Sequence, residues 1–249
     1  MKKTISIIGL FLLSLLLISL MVALLRPKAK VEIQSDNFSI SYSNLTMNCL
    51  GDSITYGAGG NGNPVIRSKK PYPTLLKEEL DLKNVNNYGI SGSTISSLSD
   101  SMAERYLSMP KADIVSVLGG VNDYVNGVKL GTINDISNTT VYGALNILAS
   151  GLKANYRNSF IFFMTPLPIS NKAKTTFVSN TEYTLSDVCN AVKEVCNKYG
   201  IVFFDTYELS GFEKCYDNKV YSYDGLHPTQ KYFEEKLSPL IARFIRNNY

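Results

Sequence analysis

One serine, one histidine and one aspartate in this chain have the types and the setting for nucleophilic chemistry. Ser53 stands in Cys49-Leu50-Gly51-Asp52-Ser53-Ile54-Thr55-Tyr56-Gly57, just beyond a short apolar run. A serine past a strand end sits on a turn. There its hydroxyl can be exposed and its own N–H can serve an oxyanion. A serine hydroxyl needs a base, and His227 is the only imidazole in the chain. A histidine base in turn needs a carboxylate to fix its tautomer and stabilise its charged form. Asp224, three residues earlier in Asp224-Gly225-Leu226-His227-Pro228, is close enough to supply it. The oxyanion would need donors. Candidates are the Ser53 N–H, the N–H of Gly89 in Asn87-Tyr88-Gly89-Ile90-Ser91-Gly92, and the side-chain amide of Asn122 in Gly119-Gly120-Val121-Asn122-Asp123. Each piece has a plainer reading. Gly-Asp-Ser and Asn-Asp are common turn residues, Asp224 suits an Asx turn, Gly89 suits a tight turn, and a histidine before a proline can cap a helix. Asp52 reads as a turn-stabilising residue more than a catalytic one. What favours chemistry is that the pieces must meet.

The elements that would bring them together are legible as an alternation. Apolar strand-like runs occur at Met47–Leu50, Val85–Tyr88, Ile114–Leu118, Phe160–Met164 and Ile201–Phe204. Between them lie helical patterns. One is Leu75-Leu76-x-x-x-Leu80, and another spans Val141 to Tyr156. A third runs through Leu185, Val188, Cys189, Val192, Val195, Cys196 and Tyr199, and Gly200 stops it. The last carries Phe233, Leu237, Leu240, Ile241, Phe244 and Ile245, with Pro239 expected to kink or shorten it. Strands separated by helices predict right-handed crossovers, an all-parallel five-stranded sheet and helices on both faces. In such a sheet, ligands bind beyond the carboxyl ends of the strands. Ser53, Gly89 and Asn122 each follow a strand, and Asp224 and His227 lie between the fifth strand and the last helix. The topology therefore predicts one shared rim for all of them.

The chain has 249 residues, 45% hydrophobic and 18% charged, enough for one large core. Its N-terminus is exceptional. Ile5 to Leu25 is almost wholly apolar and follows Lys2-Lys3. As a helix it would span roughly 30 Å, about one bilayer core. No small-x-small cleavage site closes the run, so an uncleaved transmembrane anchor over residues 1–30 is expected, with a cleaved signal as the alternative. Residues 31–44 read as a linker, and 45–249 as the catalytic domain. Lys2 and Lys3 on one side and Arg26, Lys28 and Lys30 on the other leave the positive-inside rule undecided, and the domain is expected outside the cell membrane because an anchor this close to the N-terminus usually acts as an export signal. Residues 1–30 hold five Lys/Arg and no Asp/Glu, so the remainder carries 20 basic and 21 acidic groups. The net charge of +4 thus comes from the N-terminal segment, and nothing recommends nucleic acid as a partner.

Four cysteines are present. Cys189 and Cys196 are seven apart on a helical stripe, about 10.5 Å along the axis. That is too far for a disulfide, so both read as core residues. Cys49 falls in a predicted strand and Cys215 in a loop. With one histidine, a metal site built on histidines is excluded, and no cofactor is expected.

Gly51-Asp52-Ser53-Ile54-Thr55, Gly89 in Asn-Tyr-Gly-Ile-Ser-Gly, Gly120-x-Asn122-Asp123 and Asp224-x-x-His227 together resemble the four sequence blocks of the SGNH hydrolases, also called the GDSL esterase/lipase family. The resemblance covers about residues 45–249. It implies a flavodoxin-like three-layer α/β/α fold. It also implies a nucleophile at Ser53, a base at His227 supported by Asp224, oxyanion donors at Ser53, Gly89 and Asn122, and metal-free ester hydrolysis through an acyl-enzyme. Gly-x-Ser-x-Gly occurs around no serine, so the α/β-hydrolase elbow is not supported. The expected substrate is an O-acetyl or short acyl ester on a cell-envelope glycan or a lipid. An O-acyltransferase with the same triad and a silent glycan-binding module are the alternatives. Tyr124, Tyr207, Phe212, Tyr216, Tyr221 and Tyr223, in loop-rich stretches 124–140 and 206–222, are open to two readings: contacts to sugars or acyl chains, or loop packing.

Overall fold

Met47, Cys49 and Leu50 are fully buried, and the sheet grows outward from the strand that holds them. That strand, β1 (Thr46–Gly51), is flanked by β2 (Asn84–Gly89) and β3 (Ile114–Leu118), followed by β4 (Phe160–Met164) and β5 (Val202–Phe204). The order is β2-β1-β3-β4-β5 and every pairing is parallel. In the computed structural model these strands belong to a compact unit beginning at Ser41. The structure describes residues 41–60, 63, 65–179, 181–214 and 219–249. The expected membrane segment and most of the expected linker lie outside the described residues, as does Cys215. No helix among the described residues is long and apolar enough to cross a membrane.

The helices are α1 (Ser53–Tyr56), α2 (Tyr72–Leu80), α3 (Met102–Arg105), α4 (Val121–Val125) and α5 (Val141–Asn155). Then come α6 (Asn171–Phe177), α7 (Leu185–Tyr199), α8 (Thr206–Leu209), α9 (Gln230–Tyr232) and α10 (Ser238–Asn248). The strands have period-two side-chain placement, so each central strand feeds two cores. Val115 and Val117 of β3 join α5 and α7 on one face. Ile114 and Leu118 join α2 and α10 on the other. Both faces of the sheet are thereby covered, as a parallel sheet requires.

The long helices form where their sequences stop competing. Thr184 caps α7 and closes a capping box with Asp187, and Gly200 ends the helix in the left-handed conformation. Cys189 and Cys196 are both buried on its apolar side. In the C-terminal segment the regular α-helix begins only at Ser238, one residue before Pro239. A five-residue π segment, Phe233–Leu237, joins α9 to α10, and Pro239 sits in the first turn of α10. Proline lacks the N–H that a continuous helix would donate one turn back, and a wider turn before it absorbs the loss without a break. Leu237, Ile241 and Ile245 stay buried on one side throughout.

The strand ends lie level. Gly51 pairs with Gly89 and Leu118, Leu118 with Met164, and Met164 with Phe204. The segments that follow these residues therefore leave the sheet along a single rim.

Candidate active site

Asp52 leaves β1 and caps α1. Its Oδ1 accepts from the Ile54 N–H at 2.9 Å, and Ser53 becomes the first residue of that short helix. A helix start leaves its first N–H groups without intrahelical partners. Among the described residues the Ser53 N–H has no acceptor. Ser53 Oγ stands 3.2 Å from His227 Nε2, although the two residues are 174 positions apart. The other ring nitrogen, Nδ1, is 2.7 Å from Asp224 Oδ2. Asp224 Oδ1 accepts from the backbone N–H groups of Leu226, at 2.9 Å, and His227, at 2.7 Å. The Asx turn and the histidine partner are thus the same carboxylate, one oxygen for each task. Ser222 Oγ donates to the His227 carbonyl at 3.0 Å and takes the Gly225 N–H, which ties down the loop.

Asn122 lies on α4, not in a plain turn. Its Nδ2 donates to the Ser93 carbonyl at 2.9 Å, which fixes the amide and occupies one of its two hydrogens. The neighbouring Asp123, fully buried, accepts from the N–H groups of Ile95 and Ser96 at 2.8 and 3.0 Å. The 90–101 loop is therefore pinned to the helix that carries Asn122.

Gly89 reaches the same cavity, yet its N–H is committed: it donates to Asn87 Oδ1 at 2.8 Å. A Cβ at Gly89 would lie 2.0 Å from the Tyr56 nitrogen, so the glycine is needed for close packing against α1. This corrects the expectation of a free donor there. Three residues on, Gly92 also lines the cavity, with φ +79° and open space beside it. Among the described residues its N–H has no acceptor. The repeated glycine in Gly89-Ile-Ser-Gly92 was the available signal, and sequence alone gives no reason to choose the second.

The four motifs converge on one cavity, and the model of the GDSL-like Lipase/Acylhydrolase family matches residues 49–232. The chain belongs to this family. It is a hydrolase enzyme of the GDSL type. No curated protein matches it. Among solved structures it is similar to a Lactobacillus plantarum protein at 33% identity, with a TM-score of 0.69 over 84% of this chain and 96% of that one. A possible lipase from Chitinophaga pinensis is 24% identical, with a TM-score of 0.62 over 82% and 98%. A carbohydrate acetylesterase family member from Sinorhizobium meliloti is 17% identical, with a TM-score of 0.55 over 82% and 99%. The last two likenesses speak to the fold alone.

The cavity of this GDSL hydrolase measures ≈ 740 Å³. Beyond Ser53, His227, Asp224 and Asn122, its walls are largely apolar: Tyr56, Val65, Ile90, Val125, Phe177 and Leu226. Among the described residues, Asp224 is the one acidic side chain that lines it, and no lysine or arginine does. Three of the aromatic residues singled out in the loops have other partners or surroundings. Phe212 is fully buried, Tyr124 packs edge-on against Tyr183, and Tyr221 bonds Glu235. Tyr207 and Tyr223 do not line the cavity, and Tyr216 lies outside the described residues.

Electrostatics distinguish the aspartates. Burial alone would push the Asp224 carboxyl up. Bonding and charge from His227, with the two backbone N–H groups, outweigh it and hold the group below the ordinary carboxylate value. Asp52 has no such support on its second oxygen, which is buried without a partner among the described residues. Burial pushes Asp52 up to about 7, partly offset by the Ile54 N–H and by His227. Burial raises Asp123 as well, against its backbone donors.

Proposed function

We propose that the hydrolase cleaves carboxylic esters through an acyl-enzyme on Ser53. Ser53 Oγ attacks the ester carbonyl carbon while His227 Nε2 takes the hydroxyl proton. Asp224 holds the proton on Nδ1 and stabilises the imidazolium that forms. The oxyanion of the tetrahedral intermediate accepts from the Ser53 N–H and the remaining Asn122 amide hydrogen. The Gly92 N–H is the third donor in preference to Gly89, because it has no competing acceptor. The intermediate collapses, the alcohol leaves with the proton held by His227, and water repeats the attack to release the acid. The observation that carries this reading is the unbroken relay Ser53 Oγ–His227–Asp224, with contacts of 3.2 and 2.7 Å.

The substrate proposed is a short acyl ester on a cell-envelope glycan or lipid. Neutral, apolar cavity walls suit an aliphatic acyl group and offer nothing to a charged one. The name of the Sinorhizobium neighbour is in keeping with an acetylated carbohydrate. Location at the envelope, with residues 1–30 as anchor and the catalytic unit outside, rests on the apolar run Ile5–Leu25. The test is Ser53→Ala assayed with p-nitrophenyl acetate and butyrate. Turnover should fall by at least about a thousandfold. A folded variant with undiminished turnover overturns the proposal.

A further inference from the structure

We propose that Arg105 is a positioning residue that holds the oxyanion-binding segments in register. The proposal rests on the reading of Ser53, Asn122 and Gly92 given above. Arg105 ends α3, and its guanidinium reaches back under the rim. Nη1 donates to the Tyr88 carbonyl at 2.5 Å. Nη2 donates to the Gly51 carbonyl at 2.5 Å and to Ser93 Oγ at 3.0 Å. Nε donates to the Asp100 carbonyl at 2.9 Å. All four bonds go to neutral oxygens. An ordinary surface arginine pairs with a carboxylate or trails in solvent. This one is partly buried, with four of its five N–H groups engaged by three carbonyls and one hydroxyl.

The segments it grips carry two of the donors, Ser53 and Gly92, and anchor the third, Asn122, through Ser93. The Gly51 carbonyl lies at the end of β1, two residues before Ser53. The Tyr88 carbonyl lies at the end of β2, where the 90–101 loop begins. Ser93 adjoins Gly92, and its carbonyl anchors the Asn122 amide. Beyond the last paired residues the two exits are joined by the Ile90 N–H to the Gly51 carbonyl at 3.1 Å and by Asn87 Nδ2 to the Thr55 carbonyl at 2.7 Å, and no bond in that set fixes the Tyr88 carbonyl, the Gly51 carbonyl and the Ser93 hydroxyl at once. A planar fork with fixed angles between its N–H groups can do so; an ammonium on a flexible stem cannot. Oxyanion donors act only once the charge has formed, so a small displacement costs turnover and leaves substrate binding alone.

The experiment compares the full-length chain with Arg105→Lys and Ser93→Ala, using p-nitrophenyl acetate and following folding by near-ultraviolet circular dichroism. Arg105→Lys should lower kcat roughly 10- to 100-fold with KM within about twofold, and fluorophosphonate labelling should slow in parallel. Ser93→Ala, a lighter change, should lower kcat a few-fold, and the double variant should lose little beyond Arg105→Lys. A folded Arg105→Lys with parental kcat overturns the inference, even if its thermal midpoint drops. So does a rise in KM at constant kcat, or losses that simply multiply. Should Arg105→Lys fail to fold, parental kcat in Ser93→Ala overturns it alone. If Ser53→Ala is itself fully active, the proposed function fails and the role given to Arg105 falls with it; an inactive Ser53→Ala beside a folded Arg105→Lys with parental kcat overturns the inference alone.

Discussion

The floor and the mouth of the cavity are built on opposite plans. On the floor, Asp52, Ser93 and Asp123 are each at most 1% exposed, and nearly every polar atom is spoken for. Asp123 takes two backbone N–H groups, Asp224 takes two and a ring, and Arg105 holds three carbonyls and a hydroxyl. At the mouth, Val65 is 86% exposed and Ile90 and Phe177 are each 39% exposed. Moving Asp123, Asp224 or Arg105 breaks several bonds, whereas a mouth side chain can change with little effect on the fold. Chemistry is thus fixed in the over-determined part, and substrate choice sits in the adjustable part. A hydrolase arranged in this way can change its ester without changing its mechanism.

Substitutions at the two levels should therefore differ in kind. At the floor, Asn122→Ala should lower kcat by about 100- to 1000-fold while KM stays near the parental value, as measured by steady-state kinetics on p-nitrophenyl acetate. A loss below a few-fold would remove Asn122 from the oxyanion site. At the mouth, Phe177→Ser should alter selectivity in place of turnover. The ratio of kcat/KM for hexanoate over acetate should fall by about three- to tenfold, since each methylene returned to water costs about 0.8 kcal/mol. An unchanged ratio would mean that chain length is read elsewhere, and the contrast between the two levels would lose its meaning.

The smallest effect is on stability and concerns Asp52. Its folded value of about 7 lies above the ordinary 3.8, so between these values the unfolded chain has released a proton that the folded chain retains. Stability from this residue is present at low pH and is lost as pH rises through that window. Asp52→Asn keeps a side-chain oxygen for the Ile54 N–H and has nothing to ionise. Its thermal midpoint relative to the parent should rise by a few degrees across the window and then level off, as read by calorimetry. A gap that is flat with pH would show that Asp52 carries no such burden.

Much of the architecture is legible in the sequence because β1, β3 and β4 announce themselves by apolar runs and α5 and α7 by stripe and cap. Level ends follow from parallel pairing, and that places Ser53, Asn122, Asp224 and His227 on a common rim. The rest depends on contacts with no local signature. Gly89 and Gly92 look alike as letters, and only the Asn87 amide separates them by taking one N–H. Arg105 looks like any basic residue closing a helix; its meaning lies in carbonyls 17 and 54 positions away. Phe177 and Val65 join the cavity from unrelated segments, while Tyr124 turns inward and Tyr221 bonds Glu235.

The most direct trial of the central claim is active-site labelling of the intact protein with a fluorophosphonate, mapped by mass spectrometry. The account predicts one label per chain, on Ser53, at a rate that collapses when His227 is replaced by glutamine. A folded protein that hydrolyses esters while Ser53 remains unlabelled would contradict it.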